Sequence, residues 1–167
     1  MDFNCLSWLF AIALTVHNVE EAIWLPAWSQ TAGRFHHPTG AFEFRFAVTV
    51  LTVMAYIAAY LSMTGGKGSM GAYLISGYAL AMLLNTVFPH LLATLAMRRY
   101  APGTATAILL NFPITSLLLY HGFREGFIDQ SEFIYLGPLV VIGILLLIPG
   151  LFFAGRRLAG CIQKPAG

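Results

Sequence analysis

The stretch Phe3 to Trp24, FNCLSWLFAIALTVHNVEEAIW, is mostly apolar but carries His17, Glu20 and Glu21 in its second half. It has the length of roughly 20 residues that an α-helix needs to cross the ~30 Å hydrocarbon core of a bilayer. The residues before it lack the basic region of a signal peptide, and no small-residue cleavage site follows. We therefore interpret this stretch as a retained transmembrane helix.

The whole chain has the composition of a membrane protein. Of its 167 residues, 58% are hydrophobic and only 10% are charged, and the mean hydropathy is +0.75. These values lie outside the range of ordinary soluble domains. Five apolar segments are each long enough to span a bilayer, namely residues 3–24, 44–63, 72–97, 105–123 and 134–158. The sequence predicts an all-α, polytopic membrane protein, a single domain over residues 1–167 built as a bundle of five transmembrane helices.

The basic residues predict the orientation of this bundle. With five spans, seven of the nine Lys and Arg fall on one side of the membrane and two fall on the other. The first group is Arg34, Arg45, Arg98, Arg99, Arg156, Arg157 and Lys164, and the second is Lys67 and Arg124. Because basic residues are retained in the cytoplasm, the carboxyl terminus is predicted inside and the amino terminus outside.

The motif His17-Asn18-Val19-Glu20-Glu21 places ionisable side chains inside the first span. A charge at the centre of a membrane helix costs about 2.5–3.5 kcal/mol on insertion scales, so such residues normally face the protein interior and have a function. At 100° per residue, Glu20 lies about 60° to one side of His17 and Glu21 about 40° to the other. The shared face suits either a metal ion or proton transfer. A purely structural hydrogen-bonded cluster is the alternative.

Polar residues of three predicted helices lie at a similar depth in the membrane. At a rise of ~1.5 Å per residue, His17, His90 and Asn111 lie roughly 10 Å inside the predicted cytoplasmic edge, and Asn85 lies deeper. Pro89 removes a helical hydrogen bond beside His90 and predicts a kink. On an ideal helix Asn85 and His90 are about 140° apart, so they face one pocket only if the helix is locally unwound. Asn85 and Asn111 are also explained by hydrogen bonds between helices.

The chain resembles the HXXEE family of small bacterial membrane proteins in three places. They are His17-Asn18-Val19-Glu20-Glu21, the pair Asn85 and His90, and the segment Tyr100-Ala101-Pro102-Gly103. The resemblance implies an enzyme-like arrangement in the bacterial inner membrane without naming a reaction. Tyr100-Ala101-Pro102-Gly103 itself predicts a tight cytoplasmic turn. We interpret Tyr100 as interfacial packing, with a hydroxyl that reaches the mouth of the pocket as the alternative.

Three functions fit these residues. The first is a membrane-embedded enzyme that acts on a lipid or another apolar small molecule, with His17, Glu20, Glu21 and His90 as catalytic residues that bind a divalent metal, zinc or iron. The second is a metal-free acid–base isomerase or cyclase, in which a glutamate donates a proton, with the emopamil-binding type as an analogy. The third is a proton-coupled transporter or channel subunit. The other residues predicted to line the pocket are Asn18, Asn85, Asn111 and Tyr100.

The predicted partners are membrane lipids and an apolar small-molecule substrate. Nothing in the chain suits a nucleic acid, and a homo-oligomer remains open because five spans are few for a transporter. His121 and Glu125 lie one turn apart near the outer end of the fourth predicted helix. They lie too far from the first cluster to share its site easily, and they are the best argument for the transporter.

Overall fold

The computed structural model describes residues 1–33 and 37–162, and over these residues the chain forms five helices and no strand. The helices are α1 (Phe3–Ser29), α2 (Ala41–Gly65), α3 (Met70–Met97), α4 (Thr104–Arg124) and α5 (Gln130–Ile162). The predicted all-α class is confirmed, and each helix contains one predicted apolar segment. Arg34 and Lys164, which contribute to the predicted charge asymmetry, lie outside the described residues.

Polar side chains cap the first turns of two helices. The carboxylate of Asp2 accepts a hydrogen bond of 2.8 Å from the N–H of Cys5 at the start of α1. The hydroxyl of Ser69 accepts one of 3.2 Å from the N–H of Ala72 at the start of α3. Each cap satisfies a backbone donor that has no partner within the helix, so both helices begin next to these residues.

The third helix is interrupted near its carboxyl-terminal end, as the sequence predicts. It is α-helical over Met70–Asn85, opens into a wide π-helical turn over Thr86–Leu91 and continues as an α-helix over Leu92–Met97. Within the wide turn, Phe88 has an extended backbone with φ −127° and ψ 119°. The next residue is Pro89, which has no N–H to donate to the helix. The kink predicted at Pro89 is confirmed.

The fourth helix contains a second wide turn, which the sequence does not predict. A first helical turn over Thr104–Thr106 is followed by π-helical residues Ala107–Asn111 and then by a regular helix over Phe112–Arg124. The two wide turns contact each other and the first part of α4. Turns of this type are frequent at functional sites, so this end of the bundle is where a site is expected.

The packing of the helices buries one side of α1. Helix α1 packs against α2 and α4, while α3 packs against α2, α4 and α5, and α5 also contacts α2. The largest buried apolar side chains of this core come from α1, α3 and α4, and they are Phe3, Leu6, Phe10, Leu14, Ile75 and Leu118. This core fixes the rotation of α1, so the polar residues in its second half face neighbouring helices.

Helices α2, α3, α4 and α5 are each long and apolar enough to cross a membrane. Helix α5 exposes large apolar side chains along most of its length, among them Ile134, Leu139, Ile142, Leu146 and Phe153. Helix α1 has 27 residues and is therefore long enough to span, but it falls short of the other four in apolar content. The reason is the polar stretch from His17 to Glu21.

Candidate functional site

Three segments that are separate in the sequence meet at one end of the bundle. They are the second half of α1, the wide turn of α3, and the turn that joins α3 to α4. His17 and Glu21 lie one helical turn apart on α1, and His90 comes from the wide turn of α3. Of the four residues that the sequence predicts as metal ligands, the structure brings these three together.

The three side chains face a common point. Nε2 of His17 lies 3.7 Å from one carboxylate oxygen of Glu21, and Nε2 of His90 lies 3.4 Å from the other oxygen. One ligand atom from each residue lies within 4.8 Å of the other two. The imidazole rings meet edge to face with centroids 4.9 Å apart. Both separations from Glu21 exceed the usual length of a hydrogen bond, which leaves room for a small ion between the groups. We call His17, Glu21 and His90 the three-residue cluster.

Glu20 does not join the three-residue cluster. One of its oxygens accepts hydrogen bonds from the N–H of Gly103, at 3.0 Å, and from the hydroxyl of Tyr100. The other oxygen accepts a hydrogen bond of 2.7 Å from the hydroxyl of Thr106. Consecutive residues of a helix are about 100° apart, so Glu20 faces α4 and the preceding turn while Glu21 faces His90. The prediction that both carboxylates share one site therefore differs from the observed arrangement.

The interpretation of Tyr100 as packing alone is incomplete. Its hydroxyl donates to Glu20 and accepts a hydrogen bond of 3.1 Å from the N–H of Ala105. Burial and the hydrogen bond to Glu20 raise the pKa of the Tyr100 hydroxyl above its usual value. The hydroxyl is consequently protonated at neutral pH and available as a donor. The turn between α3 and α4 is thereby attached to α1 through Glu20.

Thr106 connects Glu20 to His17. Its hydroxyl donates to Glu20, and the same oxygen lies 3.0 Å from Nδ1 of His17. A threonine hydroxyl has one hydrogen, so when that hydrogen is directed to the Glu20 carboxylate, Nδ1 of His17 must donate to the hydroxyl oxygen. Nε2 of His17 then carries a lone pair, and this nitrogen faces Glu21. The hydrogen bond at Nδ1 thus selects the tautomer that a metal ligand requires.

Gly103 leaves the space that the two imidazoles occupy. Its φ of +89° lies in the left-handed region that favours glycine. A Cβ atom at this position would lie 2.6 Å from Cε1 of His90 and 2.9 Å from Cε1 of His17. Both distances are shorter than carbon atoms tolerate, so a side chain here would displace the rings. The last residue of the Tyr-Ala-Pro-Gly turn is therefore part of the wall of the site.

A cavity of about 140 Å³ lies beside the three-residue cluster, between α1, α2, α3 and α5, and we call it the inner cavity. Each helix contributes side chains one turn apart; those of α1 are Leu14, His17, Asn18 and Glu21, and those of α3 are Tyr78, Ala81, Met82 and Asn85. The residues from α2 and α5 are all apolar, and they are Phe44, Ala47, Val48, Leu51, Ile144, Ile148 and Phe152. The cavity is thus an apolar space with its polar groups on α1 and α3.

The three asparagines that the sequence predicts at the pocket have different surroundings. Asn18 donates to the carbonyl of Val48 at 3.3 Å and to the hydroxyl of Thr52 at 2.8 Å, so it joins α1 to α2. Asn85 lines the inner cavity. Asn111 is fully buried in the wide turn of α4, and its amide makes no hydrogen bond to any of the described residues. Asn111 is not part of the three-residue cluster.

His121 and Glu125 form a separate pair at the other end of the bundle. Nδ1 of His121 donates to the Glu125 carboxylate at 2.6 Å, and the second oxygen accepts from the N–H of Phe3 at 3.2 Å. The hydrogen bond from His121 lowers the pKa of the Glu125 carboxyl below its usual value. At ~1.5 Å per residue, Phe3 and His17 are roughly 20 Å apart along α1. The pair therefore lies far from the three-residue cluster, as predicted.

The sequence analysis missed two residues of this site. Thr106 carries no motif, and threonines near the start of a helix are common for structural reasons, so nothing in the sequence singles it out. Gly103 is identified only as a turn residue, although its place in the Tyr-Ala-Pro-Gly segment is a signal that the turn has a further role.

Comparison with known proteins assigns the family of the chain. The family model described as "Protein of unknown function with HXXEE motif" matches residues 8–118. The "Uncharacterized protein YrkK" of Bacillus subtilis (strain 168) is 41% identical over 150 residues, which are 90% of this chain and 95% of that protein. No solved structure matches the chain. The family match covers more than half of the chain and includes His17, Glu20, Glu21 and His90, so the protein belongs to the HXXEE family.

Proposed function

We propose that this protein is a membrane-embedded enzyme that uses a divalent metal ion, bound by His17, Glu21 and His90, to act on a lipid or another apolar small molecule. The observation that carries the proposal is the convergence of His17, Glu21 and His90, since one ligand atom of each lies within 4.8 Å of the other two. A zinc ion binds histidine nitrogen and carboxylate oxygen at about 2.0–2.2 Å, so tetrahedral ligands lie about 3.4 Å apart. The separations of 3.4 Å and 3.7 Å from the two oxygens of Glu21 are close to this value.

The electrostatic surroundings of Glu21 also support a cation. Its side chain is 12% exposed, and within the described residues the two groups at ion-pair distance from it are the imidazoles of His17 and His90. A carboxylate at this depth of a membrane is costly unless a positive charge compensates it. A divalent ion supplies that charge and uses the lone pair at Nε2 of His17.

The ligand set limits the metal and the chemistry. Two histidines and one carboxylate suit zinc, and they also match the set that binds iron(II) in non-haem oxygenases. Three protein ligands leave a coordination position open, which is typical of catalytic sites. The open position would be reached from the inner cavity, which Glu21 and His17 line. The apolar lining of that cavity supports a lipid or another apolar small molecule as the substrate.

The metal-free isomerase or cyclase is the second candidate. The observation that favours it is the position of Glu21, whose two oxygens lie between two imidazoles while the side chain lines the inner cavity. A protonated Glu21 in that place could donate its proton to an apolar substrate, and a histidine could accept one. The transporter has less support, because His121 and Glu125 bond to each other and to the start of α1 at the far end.

The proposed location is the bacterial inner membrane, with the amino terminus outside and the carboxyl terminus in the cytoplasm. In this proposal α1 crosses the membrane in addition to α2, α3, α4 and α5. The surface of α1 supports this proposal, because its exposed side is apolar where its buried side is polar. The exposed stripe is formed by Ile12, Val16, Val19, Ile23 and Trp24. At ~1.5 Å per residue, its 27 residues extend roughly 40 Å, enough to cross a bilayer.

Replacement of His17 by Ala should abolish metal binding in protein purified without a chelator, because two ligands alone hold a divalent ion weakly. Elemental analysis should find about one metal ion per chain in the wild type and almost none in the variant. His121→Ala is the matched control, because His121 bonds to Glu125 outside the site, and it should keep the metal. Equal metal content in the two variants would contradict the proposed ligands. A wild-type protein that is active without metal would favour the acid–base candidate.

Replacement of Thr106 by Val should weaken metal binding roughly 10- to 100-fold, the range measured when a group that orients a metal-binding histidine is removed. Valine has nearly the shape of threonine but cannot accept a hydrogen bond from Nδ1 of His17. Competition with a chromophoric chelator measures the affinity. Thr106→Ser keeps the hydroxyl and should bind metal almost as the wild type does. If Ser weakens binding as much as Val, the hydroxyl is not what orients His17.

The orientation can be tested with reporter fusions. A fluorescent protein that folds only in the cytoplasm should be fluorescent when it is fused after Gly167, and alkaline phosphatase at the same position should be inactive. The matched fusion places alkaline phosphatase after Gly68, in the loop between α2 and α3. It should be active, because the distribution of basic residues predicts that this loop lies outside the cytoplasm. The reverse pattern would refute the orientation.

A further inference from the structure

We propose that the inner cavity and a second cleft next to it form one binding site for a long-chain lipid with an acidic head group. The proposal rests on the proposed function, since it names the class of lipid that would reach the three-residue cluster. In this arrangement the apolar chain occupies the inner cavity beside Glu21, and the head group lies in the second cleft, near the predicted cytoplasmic surface.

The inner cavity has the size and lining for a segment of hydrocarbon. Its volume is about 140 Å³, and an apolar protein cavity of roughly 150 Å³ holds a molecule as large as benzene. Its walls on α2 and α5 are entirely apolar, and the hydroxyl of Tyr78 is occupied by a hydrogen bond of 2.9 Å to the carbonyl of Leu51. The polar groups that face this space are concentrated at one end, around Glu21 and Asn85. The cavity therefore fits a segment of an apolar chain, and one end of that segment would lie next to the three-residue cluster.

A larger cleft adjoins the inner cavity, and we call it the outer cleft. Its volume is about 670 Å³, and it shares Ile148 and Phe152 of α5 with the inner cavity. Phe88 and Pro89, from the wide turn of α3, form another part of its wall. The rest of its lining includes Gly33, Pro38 and Pro149 and four residues with polar side chains, which are His37, Thr39, Glu43 and Arg156. A molecule that fills both spaces is thus apolar at one end and polar at the other.

The charges of the outer cleft favour an acidic head group. The carboxylate of Glu43 accepts a hydrogen bond of 3.1 Å from the N–H of Gly40 at the start of α2, where the positive end of the helix dipole compensates its charge. Arg156 is exposed on α5, and among the described residues no carboxylate lies within ion-pair distance of it. The uncompensated charge in the described lining of this cleft is therefore positive.

The distance between the two spaces requires a long chain. Arg156 lies eight residues after Ile148 and twelve after Ile144 on the continuous helix α5. At ~1.5 Å per residue, the head group at Arg156 and the far wall of the inner cavity are separated by roughly 12–18 Å along the helix. A short-chain acid held at Arg156 would leave the far part of the inner cavity empty. A lipid of the length found in membranes would fill the cavity, which places part of its chain beside His17 and Glu21.

The test uses hexadecyl phosphate as the probe, with hexadecanol and hexyl phosphate for comparison, and measures binding to the full chain in a non-ionic detergent by native mass spectrometry. The wild type should bind hexadecyl phosphate more tightly than either of the others. Arg156→Gln should weaken the binding of hexadecyl phosphate by roughly three- to tenfold, as expected for one charged contact at an exposed position. Its binding of hexadecanol should not change.

Arg157→Gln is the matched control, because Arg157 stacks over the ring of Phe153 and does not line the cleft. It should bind hexadecyl phosphate as the wild type does. Equal affinity of the wild type for the phosphate and the alcohol would overturn the proposal. Equal losses in Arg156→Gln and Arg157→Gln would also overturn it, because they would indicate attraction to any positive charge at this surface.

A second variant tests the inner cavity. Ala81→Leu replaces a methyl group in the α3 wall of the inner cavity with a larger side chain that fills part of the space. It should reduce the binding of hexadecyl phosphate, although Arg156 is unchanged. The metal content of the same preparations separates the two proposals and shows that the site has folded. Undiminished binding of the phosphate by Ala81→Leu would overturn the inner-cavity assignment, whatever the metal content. Lipid binding with the predicted pattern in protein that binds no metal would overturn the metal proposal alone.

Discussion

The hydrogen bonds to Glu20 are the interaction on which the rest of the site depends. A carboxylate packed between helices is stable only if donors replace the water it has lost. Tyr100, Gly103 and Thr106 supply these donors, and all three lie in or next to the turn between α3 and α4. The same contacts place Gly103 against the imidazoles and Thr106 against His17. The hydrogen bonds to Glu20 therefore fix the position of Gly103 in the wall of the site, and through Thr106 they select the tautomer of His17.

The two consecutive glutamates consequently have different surroundings. Glu20 is held by hydrogen bonds within the protein, while Glu21 faces two histidines and the inner cavity. The wide turn of α3 completes this division, because it directs His90 towards Glu21 and leaves Asn85 on the wall of the inner cavity. The motif thus supplies one carboxylate that bonds to the neighbouring turn and one, Glu21, that faces the inner cavity.

The sequence predicts most of the fold, because apolar runs bounded by polar and small residues mark the helices. Each run lies within one helix, and Pro89 marks the break in α3, since a missing N–H has a local effect on a helix. The approach of His90 to His17 also follows from the sequence, through the predicted depth of the two residues along their helices. The separation of Glu20 from Glu21 does not, because it depends on which helix lies on each side of α1. Thr106 is missed for the same reason.

The ligands of the bound metal ion test the proposed site most directly. X-ray absorption spectroscopy on the wild-type protein, purified in detergent without added chelator or metal, measures the ligands directly. The ligands His17, Glu21 and His90 should give scattering from two imidazoles and a carboxylate oxygen at about 2.0–2.2 Å, without sulfur. A metal with sulfur ligands at about 2.3 Å, or one whose spectrum has no imidazole scattering, would contradict this ligand set.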